Sequence, residues 1–154
     1  NSTRAVLSGL RNINKTEIIV PQYDPEIYEE MTSNPDYGCC VRLSTLESVL
    51  EECIVSRVPV RGIYADLTFA LPRTRGVIAL ISQLNLVSGA PVGVTISLRN
   101  PEGVGYTNQD ACELGMELYE VLAVRRNVVK ENYGSAVFVY GKHTRMATAM
   151  VVVK

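Results

Sequence analysis

Three features of the 154-residue sequence predict an α/β domain built on a mostly parallel sheet. Short β-branched runs alternate with segments whose apolar residues recur at helical period. Residues able to cap a helix, an acid or a hydroxyl, follow several of those runs. The last two runs are separated only by a turn. Alternation calls for parallel strands joined by right-handed crossovers, and the short final connection calls for an antiparallel pair.

The elements follow in order. Thr3–Leu10 reads as a short helix with Asn1, Ser2 or Thr3 as its cap, and Thr16–Val20 as a strand stopped by Pro21. Asp24 and Pro25 open a helix to Met31, because proline is tolerated in a first turn where its missing N–H is not needed. After the turn signal Asn34-Pro35-Asp36-Tyr37-Gly38, Cys39–Leu43 makes a strand. Ser44 or Thr45 can cap a helix from Leu46 to about Glu52, with Leu46, Val49, Leu50 and Cys53 on one face.

Val60–Asp66 is the next strand and ends on an acid. Pro72 begins a helix carrying Val77, Leu80, Ile81 and Leu84 at helical spacing and closing near Gly89. Val92–Leu98 is a β-branched strand ended by Asn100-Pro101-Glu102-Gly103. Asn108–Val124 is amphipathic, with Cys112, Met116, Tyr119 and Leu122 opposite Glu113, Glu117 and Glu120. Ala136–Tyr140 and Ala147–Val153 form the closing hairpin. The expected architecture is a Rossmann-like three-layer sandwich, its mostly parallel sheet ending in an antiparallel β-hairpin, with residues 1–154 as one domain.

Composition narrows the function classes. A formal charge of −1 and a pI near 5.9 give no basic footprint for a nucleic-acid backbone, so small-molecule or protein partners are expected instead. A homo-oligomer remains compatible with the composition. No run approaches the roughly 20 apolar residues of a membrane span. Cys39, Cys40, Cys53 and Cys112 have no metal-ligand spacing, and they read as reduced, buried small hydrophobes in a cytoplasmic protein. The single histidine, His143, falls in the hairpin turn and reads as solvated, which leaves no Ser/His/Asp or Cys/His arrangement.

A run of β-α units closed by a hairpin resembles the class I S-adenosylmethionine-dependent methyltransferases, whose seven-stranded sheet ends in an antiparallel pair. The resemblance aligns Ile18–Val20, Cys39–Leu43, Val60–Ala65 and Val92–Leu98 with the family's second to fifth strands. It implies that Asp24 takes the cofactor ribose hydroxyls, as a carboxylate can accept both bonds of a vicinal diol. The alternative role of Asp24 is the helix cap. It likewise implies that Ser44, Thr45 and Leu46 border the adenine, against their reading as a cap and a core leucine.

Many members carry Asp or Asn, two prolines and an aromatic after the fourth strand, to position an acceptor nitrogen. Here Asp66-Leu67-Thr68-Phe69 keeps the acid and the aromatic and lacks both prolines. Asp66 and Phe69 are therefore the candidate catalytic residues, with a turn cap as the alternative for Asp66. Acids that follow two parallel strands open toward one edge of a sheet, so Asp24 and Asp66 are expected on the same edge.

The family's glycine-rich loop between first strand and first helix has no counterpart, since Gly103-Val104-Gly105 follows the fifth strand. The first strand and that loop are expected either upstream of Asn1 or lost. Two functions stay open: a methyltransferase using S-adenosylmethionine, and a methyltransferase-like scaffold without cofactor that serves as an interaction module. A nucleotide-binding or oxidoreductase domain suffers from the same missing loop and has the hairpin against it.

Overall fold

The computed structural model describes residues 18–35, 40–67, 71–98, 107–126, 136–140 and 146–153. The expected Thr3–Leu10 helix and the hairpin turn with His143 lie outside them. The fold divides into two compact units, residues 1–52 and 53–154.

In the first unit, β1 (Val20–Gln22) pairs in parallel with β2 (Val41–Leu43), Val20 opposite Val41 and Gln22 opposite Leu43. Between them runs α1 (Pro25–Thr32), and β2 leads into α2 (Leu46–Ser56). The strand expected to stop at Pro21 instead runs through it. Proline is compatible with a strand wherever its missing N–H is not needed by a neighbour, as on an edge. Val41, Val49 and Leu50 are buried, whereas no residue of α1 is. α1 is therefore held mainly by its cap and its contacts with the two strands.

In the second unit, the expected strand Val60–Asp66 is divided. β3 (Pro59–Val60) pairs in parallel with β5 (Asn85–Leu86), while β4 (Ile63–Asp66) pairs in parallel with β6 (Pro91–Ser97). Arg61 and Gly62 make the break. A Cβ on Gly62 would lie 3.2 Å from Pro91 Cγ, so glycine eases the close passage of the chain as it changes partner. The helix α3 (Leu71–Ile81) ends earlier than expected; Gly89, at φ +81°, belongs instead to the turn between β5 and β6.

The helix α4 (Asn108–Arg126) precedes the hairpin of β7 (Ala136–Tyr140) and β8 (Met146–Val152). β8 lies inside the sheet, antiparallel to both β6 and β7, and the strand order is β4-β6-β8-β7. Parallel pairs and the antiparallel close are thus both present in a mixed α/β fold. Among the described residues, however, the strands form two parallel pairs and a four-stranded sheet whose one parallel pair is β4–β6, rather than a single mostly parallel sheet.

This four-stranded sheet has two unlike faces, as period-2 alternation requires. Ile63 and Ala65, Val92, Val94 and Ile96, and Ala147, Ala149 and Val151 share the apolar one, buried except for the half-buried Ile63. Tyr64 and Asp66, Gly93, Thr95 and Ser97, and Met146, Thr148 and Met150 share the other. Val77, Ile78 and Ile81 of α3 and Ala111 and Leu118 of α4 complete the core, and Arg75 Nε donates to Glu117 Oε2 at 3.0 Å between the two helices. No helix of the described residues is long and apolar enough to cross a membrane.

Candidate functional site

Asp24 stands two residues beyond β1 in extended conformation (φ −85°, ψ 118°) and is the N-cap of α1. Its Oδ1 accepts from the Glu26 N–H at 2.9 Å and the Ile27 N–H at 3.3 Å, and its own N–H donates to Gln22 Oε1 at 3.0 Å. The capping reading is therefore realised. The cap uses one carboxylate oxygen, and a carboxylate offers about four acceptor positions, so a second role is chemically open.

Ser44 extends the β1–β2 pairing, its N–H donating to the Gln22 carbonyl at 3.0 Å. Thr45 caps α2: its Oγ1 accepts from the Ser48 N–H at 3.1 Å and its hydroxyl bonds the Ser48 hydroxyl at 2.9 Å. Leu46 is half-buried, and the core contacts of α2 fall to Val49 and Leu50. Asp24, Ser44, Thr45 and Leu46 all belong to the first unit, at the carboxyl ends of two adjacent parallel strands, where ligands of open α/β sheets bind.

Asp66 belongs to the second unit. It is the last residue of β4, exposed, and opposite Thr95 of β6. The next N–H, that of Leu67, donates to the Thr95 carbonyl at 2.8 Å, which fixes the chain beyond the acid. Phe69, its expected companion, lies outside the described residues.

Neither motif nor spacing singles out Tyr64 in the sequence. It lies two residues before Asp66, on the same face, and its hydroxyl bonds Thr95 Oγ1 at 3.0 Å. Thr95 Oγ1 bonds Thr148 Oγ1 at 2.6 Å, so three hydroxyls from three adjacent strands form a chain. Only the polar positions inside Val92-Gly93-Val94-Thr95-Ile96-Ser97 signalled that this strand is not simply core; the partners depend on register, which spacing along the chain does not reveal.

Of the cysteines, Cys40 is buried and Cys53 half-buried, but Cys112 is exposed, contrary to the expectation of burial; Cys39 lies outside the described residues. No group of three or more metal-ligating side chains occurs among the described residues.

No family model matches the chain, and no curated protein matches it. Among solved structures it is similar to the 16S rRNA (adenine(1408)-N(1))-methyltransferase W203A mutant with cosubstrate SAM from Catenulisporales acidiphilia, with a TM-score of 0.48 and 16% identity. The alignment covers 78% of this chain and 62% of that one. At that level the likeness assigns neither substrate nor site.

Proposed function

We propose that the chain is a methyltransferase-like α/β protein, using S-adenosylmethionine if it is active, with Asp66 on the acceptor side. The observation that supports this reading is the exposed acid at the carboxyl end of β4, a strand paired in parallel with β6 in a sheet closed by the antiparallel hairpin β7–β8. Catalysis in such a site would consist largely of holding an acceptor in line with the methyl sulfonium.

The described residues fit the cofactor only in part. Asp24 keeps acceptor capacity for a ribose diol, with Ser44, Thr45 and Leu46 as the adenine border. Among the described residues no glycine-rich turn stands ahead of a helix to cradle the amino-acid half. That partial fit favours the second reading, a non-catalytic scaffold or interaction domain of the same fold.

Titration calorimetry with S-adenosylmethionine separates the two. On the partial fit, binding to the 154-residue chain is expected to be weak or absent, which supports the scaffold. The informative variant is Asp24→Asn, because asparagine caps a helix about as well as aspartate but cannot offer two carboxylate oxygens. Tight binding that this variant weakens about tenfold or more would establish the ribose role and the enzyme reading. Tight binding unchanged by it would remove Asp24 from the site.

A further inference from the structure

On the polar face of the second unit's sheet, Tyr64 is held on two sides. Its ring lies against Gly93, its register partner: a Cβ there would fall 2.9 Å from Tyr64 Cδ2, closer than side chains tolerate. Glycine thus lets the ring lie on the backbone of β6. Its hydroxyl is engaged by Thr95, which is fully buried and itself tied to Thr148. With the phenol oxygen occupied and one side of the ring against the strand, the remaining ring surface is what Tyr64 presents; the residue is 43% exposed.

Two residues on, about 7 Å along the strand at about 3.3 Å per residue, Asp66 is exposed on the same face. The other residues of that face on β4, β6 and β8 are Pro91, Gly93, Thr95, Ser97, Met146, Thr148, Met150 and Val152, none of them charged. The only formal charge on this face of those three strands is negative, and it stands beside a fixed aromatic ring. An aromatic face attracts cations through its quadrupole, and a carboxylate does so by charge.

We propose that Tyr64 and Asp66 together bind an organic cation, an alkylammonium or alkylguanidinium group, the ring taking its apolar or π-facing side and the carboxylate its N–H donors. A carboxylate has enough acceptor positions to share a structural hydrogen bond with such a ligand. The proposal stands whether or not the chain transfers methyl groups, because the binding needs no cofactor. The same chemistry is carried by free amines and by lysine or arginine side chains of a protein.

The test is an NMR titration of the full 154-residue chain with methylguanidinium and tetramethylammonium chloride, using sodium chloride and neutral tert-butanol as controls. Saturable shifts at the amides of Tyr64, Asp66 and Gly93 with the organic cations but not the controls are expected. Asp66→Asn should weaken binding at least threefold, and Tyr64→Leu about two- to fivefold, the range of an exposed cation–π contact. Tyr64→Phe keeps the ring and should bind within twofold of the parent, which guards against misfolding in the leucine variant. Shifts absent from these amides, equal for tert-butanol, or unaltered by Asp66→Asn would overturn the proposal. Blocked tripeptides centred on Lys or Arg distinguish the source: affinity above that of the free cations indicates a protein ligand, and equal affinity a small amine.

Discussion

Arg57 adopts φ +53° just beyond α2, with its N–H donating to the Ile54 carbonyl at 3.3 Å. A left-handed residue at that place closes many helices, and it is usually glycine because a Cβ there crowds the following carbonyl. Arg57→Gly is therefore expected to stabilise the protein by about 0.5–1 kcal/mol, the relief of roughly 1–2 kcal/mol being partly offset by the greater freedom of glycine in the unfolded chain. Urea denaturation measures it, and an unchanged or lowered midpoint would count against the strain. At this scale the sequence was informative where chemistry is local. Asp24 and Thr45 were readable as caps because capping depends on residue type and a spacing of two or three. The ring of Tyr64 over Gly93 was not readable, because those residues are distant in sequence and meet only through strand register.

Among the elements, β2 and α2 are tied by a two-pronged pair, Arg42 Nη1 donating to Glu52 Oε1 at 3.1 Å and Nη2 to Oε2 at 2.5 Å. The hydrogen bonds from the guanidinium, with its charge, hold the Glu52 carboxyl below its ordinary range. A depressed carboxylate adds stability above its unfolded-state pKa, and that increment is lost as pH falls through the folded pKa. Glu52→Gln should accordingly be less stable than the parent at neutral pH, and the difference should close as the solution is acidified below the usual glutamate range. Both groups are exposed, so added salt should shrink the difference as well. A gap that persists at low pH would show that packing, not charge, joins the two elements. The elements themselves were largely legible, since α1, β2, α2, β6, α4 and the hairpin strands follow from periodicity and caps. The face read for α4 was not the buried one: Cys112 and Met116 are exposed, and Ala111 and Leu118 enter the core. Their limits were less so. β3 and β4 read as one strand because apolar pattern does not record a change of partner, and β1 runs through Pro21 because a strand's tolerance of proline depends on which neighbours need its N–H.

Across the second unit, stability should be most concentrated in β6. Local opening costs least where a backbone hydrogen bond is exposed or has few apolar neighbours, and approaches the global unfolding free energy in a central strand. β6 pairs with β4 on one side and β8 on the other, and every residue after Pro91 is buried, with Val92, Val94, Ile96 and Thr95 wholly so. β4 shares the pairing but carries the exposed Tyr64 and Asp66, and β7 pairs only with β8 among the described residues. The arrangement places the residues of the proposed cation site on the lip of the sheet while Thr95, which fixes the ring, stands in its most protected strand. Native-state hydrogen exchange is therefore expected to show the amides of Val92–Ser97 that bond to neighbouring strands among the slowest in the protein, exchanging only with global unfolding. Those of β1 and β2, three residues each in a two-stranded pair, should exchange much faster through local opening. Slow β6 exchange in Thr95→Val, with Tyr64 mobile on the nanosecond scale, would separate the hydroxyl chain's role in holding the ring from any role in holding the sheet. Should β6 exchange as fast as β1 and β2 in the parent protein, its double burial would not be stabilising this sheet, and the fixed platform inferred for Tyr64 would lose its support.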